Sequence, residues 1–169
     1  MKKLDEMDIN DLNQLFNEEI KEYNGLVRDL HEESKYLREG LTEPLIKIVQ
    51  SIEERIHNIK EIEKRISERV SYLLNLVAGK KEGDSLSNLY PHLPREGQVC
   101  IDRFKGDLIQ LKEKVKKANE RNKWFAEEYL ALLSEMIEVI INPSTKNISY
   151  GEHGKQIFSS LPLTLNREV

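Results

Sequence analysis

The stretch LIKIVQSIEERIHNIKEIEKRISERVSYLLNLV, residues 45–77, carries apolar side chains at alternating steps of three and four residues. This spacing is typical of one face of an α-helix, since about 3.6 residues make one turn. The positions between the apolar ones are mostly charged or polar, so the helix is amphipathic and needs a partner for its apolar face. The stretch predicts a long helix over about residues 43–78.

Similar stripes lie on both sides of this helix. One runs from Ile9 to Leu37 and predicts a helix over about residues 9–39, and another runs from Phe104 to Val139 and predicts a helix over about residues 95–141. Short connections make consecutive helices antiparallel. We therefore expect an all-α fold: one antiparallel, coiled-coil-like bundle of three to four long helices within residues 1–142.

The segments between the stripes contain helix breakers. Gly40 followed by Pro44 predicts a turn between two helices, although the stripe also continues across Pro44, so one kinked helix remains an alternative. Residues 79–94 are rich in Gly, Ser and Pro and predict a loop. Residues 143–169 have no stripe and predict an irregular, flexible C-terminal tail with a binding role.

Composition and motifs argue against several classes of function. The net charge is -4, whereas nucleic-acid binding needs a concentrated basic surface. Cys100 is the only cysteine, and the four histidines lack the spacing of metal ligands. Nothing at the N-terminus resembles a signal peptide, no apolar run is long enough to span a bilayer, and no motif for a nucleotide or a catalytic nucleophile is found in the sequence. We expect a cytoplasmic protein that is not an enzyme, with no cofactor, no metal, no nucleic acid and no membrane insertion.

Asn122 is the informative polar residue, because its position falls within the apolar stripe of the last helix. A buried asparagine costs stability but fixes the register of paired helices. Asn119 lies one turn earlier, so the two amides can bond to each other or to a facing helix. A pair of asparagines at a wet helix edge is an equally good interpretation.

Two motifs resemble those of a known family. Asn119-Glu-Arg-Asn122-Lys-Trp124 stands on the last helix, and Tyr150-Gly-Glu-His-Gly154 follows about two dozen residues later. With the acidic first helix and the break at Gly40, these motifs resemble the FlgN-type flagellar export chaperones. The resemblance implies a cytosolic chaperone that binds hook-filament junction proteins, prevents their premature assembly and delivers them to the flagellar type III export gate.

The resemblance also suggests roles for individual residues. It implies that Tyr150 docks to the export gate, and that Asn119, Asn122 and Trp124 form a family motif that sets helix register. We expect cargo to bind apolar tail residues that have no stripe of their own, although the tail can instead fold back on the bundle. These are Ile157, Phe158, Leu161, Leu163 and Leu165. The free chain is expected to be a monomer or weak oligomer, and the alternative function is a coiled-coil scaffold or adaptor.

Overall fold

The computed structural model describes residues 4, 6–78 and 85–141. It contains three long helices, α1 (Glu6–Glu39), α2 (Thr42–Ala78) and α4 (Arg95–Ile141), and a short helix, α3 (Leu86–Leu89). A 3-10 turn at Tyr90–His92 links α3 to α4. Strands are absent from the ranges that the structure describes. The predicted all-α bundle is therefore confirmed.

The break near Pro44 is a turn. Gly40 has a φ of 66°, a left-handed conformation that glycine adopts without steric cost. The N–H groups of Gly40 and Leu41 bond back to the carbonyls of Leu37 and Tyr36, which closes the end of α1 as a Schellman motif. The chain then reverses, and α2 begins at Thr42.

Helix α1 is the central helix, because it packs against both α2 and α4. Helix α4 runs parallel to α1: Phe104 stacks on Phe16 with ring centroids 3.9 Å apart, and further along Asn122 bonds to Leu30. Helix α2 runs in the opposite direction beside α1. The three helices thus share an elongated core, in which each presents the apolar stripe read from its sequence.

The core consists of two clusters along the bundle axis. One lies at the beginning of α1 and α4 and includes Phe16, Leu73 and Ile101, while the other lies further along and includes Leu26 and Val115. Tightly buried side chains of this kind supply most of the stabilisation of a helical bundle.

Part of the predicted loop is helical. The side chain of Ser85 accepts a hydrogen bond from the N–H of Ser87 and so caps α3. Leu89 is fully buried and Leu93 nearly so, both in the first core cluster. Burial of these two leucines explains why a segment rich in turn formers takes a helical form here. Residues 79–84 of that loop lie outside the described ranges.

A polar cluster joins the middle of α1 to α2. The carboxylate of Asp29 is buried and accepts hydrogen bonds from Arg55 and from the hydroxyl of Ser51. Arg55 also donates to Glu22 at 3.1 Å. Gly25 makes room for this arrangement, since a Cβ at that position would collide with the Arg55 guanidinium. The buried charges are therefore paired with each other, as a low-dielectric interior requires.

Candidate partner-binding surface

The site residues named from the sequence fall into two groups. Asn119, Asn122 and Trp124 lie on α4 at the level where α1 approaches its end. Tyr150 and the five apolar residues of the tail lie outside the described residues.

Asn122 links α4 to α1 through two hydrogen bonds. It is 3% exposed, and its amide nitrogen donates to the carbonyl of Leu30 at 2.7 Å and to a carboxylate oxygen of Glu33 at 2.9 Å. Its partners are thus on the facing helix rather than at Asn119, which is half-buried on the neighbouring side of α4. Both acceptors lie on α1, so a shift of α4 along α1 would break both hydrogen bonds.

Contact between α1 and α4 ends just beyond Asn122. Arg38, in the last turn of α1, places its guanidinium 5.8 Å from the ring centroid of Phe125. Trp124 packs edge-on against Phe125 with ring centroids 5.0 Å apart, yet it remains half exposed. Helix α1 stops at Glu39, so it has no residues left with which to cover the rest of α4.

Residues 127–141 of α4, here named the overhang, extend beyond the end of α1. At a rise of 1.5 Å per residue this segment is about 22 Å long. Leu133 is its only residue that is even half-buried. The large apolar side chains that the overhang exposes are Tyr129, Leu130, Leu132, Met136, Ile137, Val139, Ile140 and Ile141.

The apolar side chains of the overhang form a continuous face. With about 100° of rotation per residue, they cover an arc of about 200° centred on the direction in which Asn122 points towards α1. A single helix packed on α4 needs a stripe of only about 100°. The overhang therefore presents an apolar face wide enough for two helices.

The length of α4 gives a signal for this surface that the stripe pattern alone does not. The predicted helices over residues 9–39 and 95–141 differ in length by about a third, and parallel helices that start at the same level cannot cover each other when one is longer. The apolar stripe alone does not distinguish the packed turns of α4 from the unpacked ones. The difference in length indicates that the last turns of α4 are not packed against α1.

A groove of about 610 Å³ runs between α2 and α4 over Tyr23. Its floor, which includes Tyr23, Ile59 and Val115, is almost fully buried within the protein itself. Lys60 and Lys116 are among the residues along its sides. The groove therefore has little apolar surface left to offer a partner, in contrast to the overhang.

One turn before Tyr23, Glu19 is 2% exposed, and its Oε1 atom has no hydrogen-bond partner among the described residues. Burial, reinforced by the Glu63 carboxylate and opposed by the Lys112 ammonium, raises the pKa of Glu19 from 4.5 to about 7. The Nζ atom of Lys112 lies 3.4 Å from Oε1 of Glu63 and 5.6 Å from the ring centroid of Tyr23. Glu19 is thus an ionisable group inside the covered part of the bundle.

Comparison with known families provides the remaining evidence. The family model described as "FlgN protein" matches residues 7–156 of the chain. The chain belongs to the FlgN family. The match covers nearly all of α1, and all of α2, the Asn119–Trp124 motif, the overhang and Tyr150, and it ends one residue before Ile157. No curated protein and no solved structure matches the chain.

Membership of the FlgN family confirms the resemblance read from the two motifs and supports a chaperone function in flagellar assembly. Among residues 4, 6–78 and 85–141 no helix is long and apolar enough to cross a membrane. The same residues contain no group of three side chains suited to hold a metal ion. Of the fourteen large apolar side chains that the described residues of this FlgN protein expose, eight lie in the overhang, which is our candidate functional site.

Proposed function

We propose that this protein is a cytoplasmic export chaperone that binds hook-filament junction proteins, prevents their premature assembly and delivers them to the flagellar type III export gate. The observation that carries the proposal is the overhang. It offers a helical apolar face, free of the protein's own core, to the amphipathic terminal helices of such cargo. Helix-in-groove recognition of this kind uses anchors at successive turns, and the overhang supplies them.

The energetics of the overhang favour a binding role. Burial of one Leu, Ile or Met side chain contributes about 1.5–3 kcal/mol, so a few such anchors are enough for a complex of moderate affinity after the cost of association. A helix without tertiary contacts is only marginally stable. A partner helix therefore stabilises the overhang while the overhang covers the partner's apolar face.

The decisive experiment is a calorimetric titration of purified junction proteins into the full chain. We expect binding that weakens at least about tenfold when Met136 and Ile140 are both changed to Ser, because these two side chains lie on the central line of the apolar face. The matched control is Ile109→Ser. Ile109 is about as exposed as Ile140, and it lies in the covered part of α4 on the side of the helix that faces away from α1. Loss of binding in the control, or no binding by the unchanged protein, would contradict the proposal.

Two parts of the proposal concern the tail. We propose that Tyr150 docks to the export gate, and that Ile157, Phe158, Leu161, Leu163 and Leu165 extend the cargo-binding surface. A Tyr150→Ala variant should keep cargo binding and lose gate binding. Truncation after Asn142 separates the tail from the overhang: if cargo still binds at full strength, the five apolar tail residues have no part in cargo binding.

The alternative function, a coiled-coil scaffold, predicts a constitutive oligomer. Sedimentation velocity distinguishes the two, because a chaperone remains a small species that gains one partner when cargo is added. A stable oligomer that ignores junction proteins would favour the scaffold.

A further inference from the structure

The overhang has a distinct charge as well as an apolar face. Residues 124–141 contain Glu127, Glu128, Glu135 and Glu138 and no lysine or arginine. The preceding segment, residues 112–123, has the opposite balance, with six basic and two acidic residues. The sign of the charge along α4 therefore changes where the helix leaves the bundle.

The four glutamates lie at the edges and back of the apolar face. At about 100° per residue, Glu128 and Glu135 stand beside one edge of the apolar arc, and Glu127 and Glu138 stand beside the other. These are the positions that flank a packed helix, as the charged positions beside a coiled-coil interface do. A helix that packs along one half of the face will place one row of its flanking side chains next to the carboxylates at that edge.

A second copy of this chain is a poor occupant for this surface. Two overhangs packed face to face would bring eight glutamates together with no basic residue between them, and like charges across an interface are repulsive. A partner helix with basic flanks would instead gain attraction at the edge of the face beside which it packs. Charge complementarity of this kind selects partners and orientation.

We infer that the overhang selects an amphipathic helix whose apolar face is bordered by lysine or arginine. This inference rests on the proposed chaperone function and adds the chemistry of the cargo segment: an apolar helical face with basic flanks, recognised by an apolar helix with acidic flanks.

The test uses the full chain and two labelled synthetic peptides of about 18 residues, which is enough to span the overhang. Both peptides have the same Leu and Ile face; one has Lys and Arg at the flanking positions and the other has Glu. Fluorescence anisotropy should show that the basic-flanked peptide binds about tenfold more tightly at low salt. This preference should shrink as the salt concentration rises.

A pair of double variants assigns the preference to the overhang. Glu135→Lys with Glu138→Lys should abolish or invert it, whereas Glu113→Lys with Glu120→Lys makes the same change in net charge on the covered part of α4 and should preserve it. Equal affinity for both peptides, or loss of the preference in the control, would overturn the inference.

Other outcomes separate this inference from the proposed function. If junction proteins bind and neither peptide does, or both bind with the same affinity, the inference fails and the chaperone function stands. If neither the peptides nor the junction proteins bind, the proposed function fails as well. A dimer that sedimentation detects, and that Met136→Ser with Ile140→Ser abolishes, would make a second copy the occupant and overturn the inference.

Discussion

Residues 95–126 and 127–141 of α4 have the same apolar stripe on the same side of the helix and opposite surroundings. In the first segment Leu111 and Val115 are 6% and 4% exposed, because α1 covers them, whereas in the overhang Leu132 and Ile140 are 55% and 75% exposed. The comparison shows that periodicity identifies the face a helix will bury. It does not show whether the partner is part of the same chain, which here depends on the point where α1 ends.

The largest expected contrast comes from one substitution made in each segment. Leu111→Ala should lower the free energy of unfolding by about 2–5 kcal/mol, because it leaves a cavity against α1. Leu132→Ala should change it by less than about 0.5 kcal/mol, because that side chain is already exposed. Urea denaturation followed by circular dichroism measures both. Similar losses in the two variants would mean that the overhang is covered in solution.

Glu19 of α1 is a carboxyl group buried in the covered part of the bundle, and it provides a second test of that burial. The pKa of Glu19 is raised to about 7 in the folded protein from 4.5, so the unfolded chain releases this proton at lower pH than the folded one. The contribution of Glu19 to stability is therefore complete below about pH 4.5, declines as the pH rises, and is lost above about pH 7. The difference of about 2.5 between the two pKa values corresponds to about 3 kcal/mol.

The variant Glu19→Gln isolates this effect. It should be about as stable as the unchanged protein at pH 4 and more stable by up to about 3 kcal/mol at pH 8, less any cost of burying the amide. The measured quantity is the difference in unfolding free energy between the two proteins, obtained by urea titration across that range. A difference that does not change with pH would show that Glu19 is not held neutral by the bundle.

The stripes of three helices and the break at Gly40 were enough to predict the all-α fold, since a glycine between two apolar stripes has a local physical meaning. The short helix at Leu86–Leu89 was missed because its stability comes from tertiary burial of Leu89, which no local pattern reveals. Sequence put Asn122 within the apolar stripe of α4. It left open whether the amide would lie at a wet helix edge, meet Asn119 or meet α1, because that choice depends on the relative position of two helices distant in sequence.

The candidate site also contains features that sequence could predict and features that it could not. The motif Asn119–Trp124 is local and was readable, and it proves to lie at the point where α4 leaves the bundle. The overhang exists because α4 is longer than α1, so it can be recognised only when the two helices are placed side by side. Tyr150 and the apolar tail residues remain predictions.

The smallest expected effect concerns Asn122, which bonds α4 to α1 near the boundary between the two segments. From sequence alone, Asn122→Leu is expected to be neutral or stabilising, because leucine suits an apolar stripe. The structure argues for the opposite sign: the amide donates to the carbonyl of Leu30 and to the carboxylate of Glu33, and leucine would remove both bonds at a buried position. Loss of hydrogen bonds of this kind costs about 1–2 kcal/mol after the gain from added apolar burial.

Asn119→Leu, one turn earlier on the half-buried side of α4, serves as the control and should change stability by less than about 0.5 kcal/mol. Urea denaturation of the two variants decides between the signs. If Asn122→Leu proves as stable as the unchanged protein, the position of α4 beside α1 is fixed by apolar packing, and Asn122 has no part in holding the overhang.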